Sequence, residues 1–398
     1  MTKTTLNNEA LIKEILAFRR DLHLNPELSG EEFETSKKIQ QKLTEHGIPF
    51  KTGFAKTGVL GIIKGAKPGK TVALRADIDA LPIQEQSGVE YSSTVDGKMH
   101  ACGHDAHTAM LLGAGILLHE QKENLAGTVL LVFQPAEENS PVGGAQRMMD
   151  DGVFDEFPPD VILGQHVWPD LPVGQFGVRP GPIMGNSDRF TIVVKGSGGH
   201  ASMPHQTNDA IIIANQVITT LQTIVSRNVD PINPAVLTIG KISGGYRYNV
   251  IADRVTLEGS IRTTSNETKN VVRERFFKIL NGLAEAMNAE IDIEYLDGYP
   301  ATVNTPEWSN RIKQTATRLY GKESAPDVPP SMGGEDFSRF LQKYPGAYYW
   351  LGASIGEGQK PLHDPEFKLD ERAIPLGIEF MTEVTIDTLN QLLKKETE

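Results

Sequence analysis

The feature that most constrains this chain is a change of pattern near Ser187. Upstream, helical and strand-like spacings of apolar residues alternate: 10–24 and 32–46 read as helices, 59–64 and 71–75 as short buried strands, 107–120 as a helix, 128–133 as a strand, 143–150 as a helix and 161–165 as a strand. Downstream the order becomes strand 189–195, helix 208–226, strands 235–242 and 254–262, helix 267–287 and strand 290–296, the β-α-β-β-α-β arrangement of ferredoxin-like domains. From about Tyr299 helix and strand return, at 305–320 and 347–351. Alternating strands and helices build α/β layers, whereas the central block can close on itself. The expected fold is a discontinuous α/β domain made of residues 1–186 and 299–398, with a smaller α+β domain, residues 187–298, inserted between its halves.

Composition narrows the function classes. The 398 residues suffice for two domains at roughly 100–200 residues each. Lys plus Arg total 39 against 51 Asp plus Glu, a net charge of −12, which argues against a nucleic-acid binder because such a protein needs a basic stripe to displace counterions. No apolar run approaches the roughly 18 residues of a membrane-spanning helix. Residues 1–20 read as an amphipathic helix carrying Glu9 and Glu14, without the basic start and apolar block of a secretory signal. Cys102 is the single cysteine, so no internal disulfide forms, and a cytoplasmic location is expected.

The polar residues are more telling. Five of the ten histidines fall in two short stretches, HACGHDAH at 100–107 and GGHASMPH at 198–205, and the cysteine sits inside the first. Strand 71–75 runs into Asp77 and Asp79, strand 128–133 into Glu137 and Glu138, strand 161–165 into His166, and strand 347–351 leads through a glycine-rich loop to His363. In open α/β sheets sites gather beyond the carboxyl ends of strands, so these groups can share one crevice, which the Cys102–His104 loop can also face. Carboxylate, imidazole and thiolate are ligands of Zn²⁺ and related ions, and the candidates outnumber one tetrahedral shell, which points to two metals. Adjacent glutamates on an extended backbone point opposite ways, so one can bind metal while the other handles the proton of a water. Each residue also has a bland reading. A Glu-Glu pair is usually a solvated loop, a lone cysteine a small buried hydrophobe, His104 and His107 two residues of one helix face, and His200 and His363 loop histidines. It is the joint placement that favours chemistry.

The stretches LRADIDAL (74–81), HACGHDAH (100–107), FQPAEE (133–138), GGHAS (198–202), YNVIA (248–252) and MGGEDF (332–337) together resemble, in order, the M20 metallopeptidase family, and within it the amidohydrolase subgroup of hippurate hydrolases, N-acyl-amino-acid deacetylases and auxin-conjugate hydrolases. The resemblance implies a metallopeptidase-type α/β/α catalytic domain whose insert is a lid and dimerisation domain. It implies Cys102, His104, Glu138, His166 and His363 as ligands of two divalent ions per subunit, Glu137 as general base, and Asp77 as the aspartate orienting the metal site from behind the ligands. His200 matches a histidine that reaches the partner subunit's site in related dimers, and Asn249 and Arg262 match residues of the insert that hold the substrate. Dipeptidase branches of the family carry His-x-Asp where this chain has Arg75-Ala-Asp77, an aspartate where Cys102 stands and another at His166. The thiolate favours Mn²⁺ or Zn²⁺, with Ni²⁺ and Co²⁺ also compatible, over Mg²⁺ or Ca²⁺. The expectation is a homodimeric, metal-dependent hydrolase of small N-acyl amino acids. The alternatives are a metallo-dipeptidase or aminopeptidase, against which Arg75 and the Cys102 loop speak, and a non-catalytic metal-binding protein, which would need no proton shuttle at Glu137.

Overall fold

In a computed structural model the described residues are 8–397, so residues 1–7 of the N-terminal helical stretch lie outside them. The chain forms two compact units. One runs up to Ile183 and adds Val303–Pro329 and the chain from Asp336 onward; the other is Met184–Thr302 with Pro330–Glu335.

The first unit holds a seven-stranded mixed sheet in the order Phe50–Phe54, Gly58–Lys64, Ala126–Gln134, Lys67–Asp77, Val161–Pro172, Gly346–Ser354, Phe176–Gly177. The four strands from Ala126–Gln134 to Gly346–Ser354 are parallel, and antiparallel pairings flank them. Parallel strands buried on both faces read as continuous apolar runs, which is why Val129 to Phe133 and Ala347 to Leu351 are each fully covered. Consecutive tyrosines show the layers. Side chains alternate across a strand, so Tyr348 meets Phe337 of the helix Phe337–Leu341, while Tyr349 meets Phe380 of the helix Ala373–Thr397 on the opposite face. On that second face the helix His104–Glu120 packs between Glu9–Leu24 and Ala373–Thr397, buried all round from His104 to Leu118. A helix apolar on every side belongs in the middle of a layer.

Two differences from the sequence reading matter for the site. The strand read as 161–165 continues to Pro172, so His166 lies inside it, opposite Trp350, rather than beyond its end. Pro169 lacks an N–H, yet the strand runs through it: the ladder is irregular between Gly352 and Ser354, and Trp168 stacks on Trp350 at 3.9 Å. The helix read as 107–120 starts one turn earlier, at His104, because the polar residues His104 and Asp105 are buried and partnered.

The second unit has a four-stranded antiparallel sheet in the order Ala235–Gly244, Arg254–Thr263, Asp188–Lys195, Glu290–Leu296, with helices Ala210–Asn228 and Asn266–Ala286. Alternation sets its core: Phe190, Ile192 and Val194 with Val255, Leu257 and Ile261 face Ile213, Val217, Leu221, Phe276 and Leu280. Asp209 and Ser265 cap the two helices, accepting from the amides of Ile211 and Thr268.

Candidate metal centre

All the expected ligands come from loops and strands at one end of the parallel sheet. Cys102 and His104 flank Gly103, whose φ of 86° starts the helix; a Cβ there would lie 2.5 Å from Cγ2 of Val167, so glycine lets the loop press against the His166 strand. Glu137 and Glu138 follow Ala126–Gln134, and Gly144 closes behind their loop, near enough that a Cβ would sit 1.7 Å from the Pro135 carbonyl oxygen. His363 and Ala136 are non-glycine residues with positive φ, 66° and 56°, the kind of backbone strain that concentrates at functional sites.

The five side chains form two groups of three that share Cys102: Cys102, His104 and His166, and Cys102, Glu138 and His363, with ligand atoms within 4.8 Å of one another in each group. Hydrogen bonds fix which imidazole nitrogens are free. His104 Nδ1 donates to the Asp79 carbonyl oxygen at 2.9 Å, which leaves Nε2 buried and, among the described residues, without a hydrogen-bond partner. His166 Nδ1 donates to the Val167 carbonyl at 2.6 Å, which leaves Nε2 with its lone pair 3.4 Å from Cys102 Sγ. His363 Nε2 lies 3.1 Å from Glu138 Oε1. Lone pairs turned inward, outer N–H groups tied to backbone carbonyls and a thiol between the two sets are what divalent ions require. The donor set is chemically suited to divalent ions, which these side chains would hold.

Hydrogen bonds to Cys102 and Glu138 raise His363 to about 10. Burial opposes charge on His104, but Asp77, Cys102 and Asp79 outweigh it and hold it well above the imidazole range. Burial and the adjacent His107 hold His166 well below that range. Burial, then the Glu138 charge, push the Cys102 thiol up.

The neighbouring residues place the rest. Arg75 is fully buried, its guanidinium donating to Asp77 at 2.6 Å, Asp336 at 2.9 Å and Gln134 at 2.8 Å. A permanently cationic side chain cannot ligate a metal, so the residue that replaces the dipeptidase histidine here organises carboxylates instead. Asp77 lies 3.7 Å from His104 Nε2 and accepts from His107 Nδ1 at 2.6 Å. His107 Nε2 takes the Val167 amide at 2.8 Å, so both its nitrogens are engaged. His107 thus fixes the peptide after His166, a role that the sequence reading left open as a shared helix face. Two further residues were not singled out in sequence: Arg19 and His23, from the N-terminal helix, sit 2.7 and 2.8 Å from the buried carboxylate of Asp105 and hold the first turn of the helix His104–Glu120. Their signal was faint, two polar residues on the buried side of an amphipathic helix.

Glu137 is 6% exposed, groups with His104 and Glu138 within 4.8 Å, and accepts from the Asp336 amide at 3.4 Å. The remaining expected residues belong to the second unit. His200 and Asn249 come together on a small ribbon, Gly199–His200 paired with Val250–Ile251, where the Ala201 amide donates to the Asn249 carbonyl. His200 is exposed, and its Nδ1 accepts from the Ser202 amide at 3.1 Å, which puts the ring proton on Nε2. Arg262 lies on Arg254–Thr263, its guanidinium pKa lowered by burial.

The model of "Peptidase family M20/M25/M40" matches residues 73–387. An N-acetyl-L-cysteine deacetylase of Bacillus subtilis (strain 168) is 43% identical over 378 residues, 95% of this chain and 89% of that protein. Thermostable carboxypeptidase 2 of Saccharolobus solfataricus is 41% identical over 370 residues, 91% of this chain and 92% of that protein. A solved Bacillus subtilis structure, described as a dinuclear metal binding peptidase from the M20 family, superposes with a TM-score of 0.84 at 38% identity, covering 96% of this chain and 99% of the other.

Proposed function

We infer that this chain, which belongs to peptidase family M20/M25/M40, is a metal-dependent amidohydrolase that releases a free amino acid from its N-acyl derivative. The observation that carries this reading is the pair of ligand groups meeting at Cys102 with Glu137 beside them. A structural metal site needs ligands and no adjacent carboxylate base, and that argues against a non-catalytic role. The relatives' names agree in chemistry. A deacetylase acting on N-acetylcysteine and a carboxypeptidase both describe cleavage of an amide whose nitrogen belongs to an amino acid with a free carboxylate. An aminopeptidase would need a group for a free amine instead.

The five ligand residues would hold two divalent ions, for which the soft thiolate favours Zn²⁺ or Mn²⁺. Bound there, such ions supply Lewis-acid polarisation of a carbonyl oxygen and a lowered pKa for water. Glu137, screened from solvent, takes the proton of the attacking water on its carboxylate and delivers it to the leaving nitrogen. Asp77 and His107 keep His104 and His166 aimed. We assign to His200 the stabilisation of the developing oxyanion: its Nε2–H faces outward as a donor, and a donor matched to developing charge is what this step uses. Asn249 and Arg262 bind the substrate's carbonyl and carboxylate. We read residues 187–298 as lid and dimer surface, with His200 serving the partner's site. Exposed Met203, Ile211, Ile212, Ile242, Tyr246 and Tyr248 on this unit support an association surface. Among the described residues no helix is long and apolar enough to cross a membrane; a cytoplasmic home remains part of the proposal.

A panel of N-acetyl and N-benzoyl amino acids, their carboxamide counterparts and free dipeptides tests the reading, with released amine measured. The acyl amino acids should turn over, and masking the carboxylate should lower kcat/KM by roughly 10-fold or more, as losing a charged hydrogen bond of about 1.5–3 kcal/mol implies. Equal rates on the carboxamides, or preference for free dipeptides, would replace it with a different amidase or a dipeptidase.

A further inference from the structure

The loop that carries Glu137 and Glu138 is held from behind by two carboxylates outside the ligand set. Glu32 is wholly buried. Its Oε1 accepts from the Ala136 amide at 2.9 Å and the Gly30 amide at 2.7 Å, and its Oε2 from the Thr57 hydroxyl at 2.7 Å. Asp79, also buried, accepts through Oδ2 from the Glu138 amide at 3.0 Å and the Ser29 hydroxyl at 2.6 Å. The two amides so held are those of the residues immediately before and after Glu137. Ala136, the first of them, sits at φ 56°, a left-handed conformation unfavourable for alanine that persists only where its surroundings impose it. Burial and then the Asp79 charge push the Glu32 carboxyl up, so this is an expensive place for an acid, yet the groups that bind it are neutral N–H and O–H donors. Its geometry serves the backbone it binds.

We propose that Glu32, together with Asp79, is a positioning residue: a carboxylate clamp on the peptides flanking Glu137 that aims the base and the neighbouring Glu138. The proposal rests on the roles given above to Glu137 and Glu138. Because a buried backbone N–H needs an acceptor, removing Glu32 frees Ala136 to leave the left-handed region and carries both glutamates with it.

The test compares Glu32→Met, Glu32→Gln and Thr57→Val, the last removing a hydrogen bond to the same carboxylate while leaving the acceptors of the Ala136 and Glu138 amides in place. Three quantities are read on each: the Tm of metal-free protein, the visible spectrum and stoichiometry of the Co²⁺-loaded protein, and kcat with KM. Thr57→Val should lower Tm and leave the cobalt spectrum and kcat as in wild type. Glu32→Met should change the spectrum and lower kcat about 100-fold with a much smaller change in KM, the usual effect of an ångström-scale misplacement. Glu32→Gln should restore both, since its amide oxygen can still accept from Gly30 and Ala136 while its NH₂ faces the Thr57 hydroxyl. If Glu32→Met fails to fold, Glu32→Asp decides: it keeps the charge, withdraws the acceptor by one methylene, and should lose kcat where Glu32→Gln does not. A Glu32→Met or Glu32→Asp protein with wild-type spectrum and kcat and only a lowered Tm would overturn the clamp. The cobalt spectrum needs no substrate, so it reports on the clamp even if wild-type protein hydrolyses no N-acyl amino acid, a result that would count against the proposed activity alone.

Discussion

Glu137→Gln protein should retain its full complement of divalent ions and lose kcat by about 10²–10⁴-fold, the usual worth of a positioned general base. Glu138→Gln should fail differently, by losing metal. The two residues are neighbours in sequence but differ in surroundings: Glu138 Oε1 sits 3.1 Å from His363 Nε2 in the group that includes Cys102, whereas Glu137 is the more enclosed and takes the Asp336 amide. An amide oxygen at Glu137 still accepts that N–H but has no basic lone pair for a proton. Metal content by elemental analysis, set beside kcat for each variant, separates the roles. A metal-depleted Glu137→Gln with a metal-replete Glu138→Gln would exchange the two assignments.

Mixed dimers give the second large effect. His200→Ala should keep its metals and lose about 10²–10³-fold in kcat, as removal of one oxyanion donor does. His200 stands on the second unit, apart in sequence from every proposed ligand, is exposed, and carries its ring proton on Nε2 because Nδ1 accepts from Ser202. If it serves the partner's site, combining inactive His200→Ala chains with inactive Glu137→Gln chains produces dimers in which one site carries both lesions and the other neither. Activity should then return in proportion to mixed dimer, measured after subunit exchange and separation by a tag on one chain. Isolated mixed dimers that stay inactive would show that His200 acts within its own chain or not at all.

Much of this was legible in the sequence for identifiable reasons. The central strands are uninterrupted apolar runs, and the chemistry-bearing residues follow or lie on them, so their convergence followed from the rule for parallel sheets. What escaped reading is equally physical. The helix Ala373–Thr397 has its apolar stripe broken by Thr382, Thr385 and Thr388, which look polar in sequence but are buried, each bonding the carbonyl four residues back. Two-residue strands such as Gly199–His200 and Val250–Ile251 are too short to show a period, so the ribbon joining His200 and Asn249 appeared only in three dimensions. His166 reads as a strand-end residue because the apolar strand pattern stops at Gln165, whereas the strand continues to Pro172. The supporting charges were the least visible. Arg19, His23 and Glu32 sit at ordinary-looking positions near the N-terminus, and only the fold shows that Asp105 and Ala136 are their partners. The proposed ligands are thus readable from local motifs, while the residues that contact and support them depend on pairings distant in sequence.

The most direct measurement is metal depletion and reloading, followed on an N-acetyl amino acid. Chelated protein should be inactive. Titration with Mn²⁺, Zn²⁺ or Co²⁺ should restore turnover as the chain takes up about two ions, the number expected of a two-metal hydrolytic site, and a Cys102→Ser chain should bind fewer, because Cys102 is common to both ligand groups. Full hydrolysis by protein shown by elemental analysis to be metal-free would contradict the mechanism at its root.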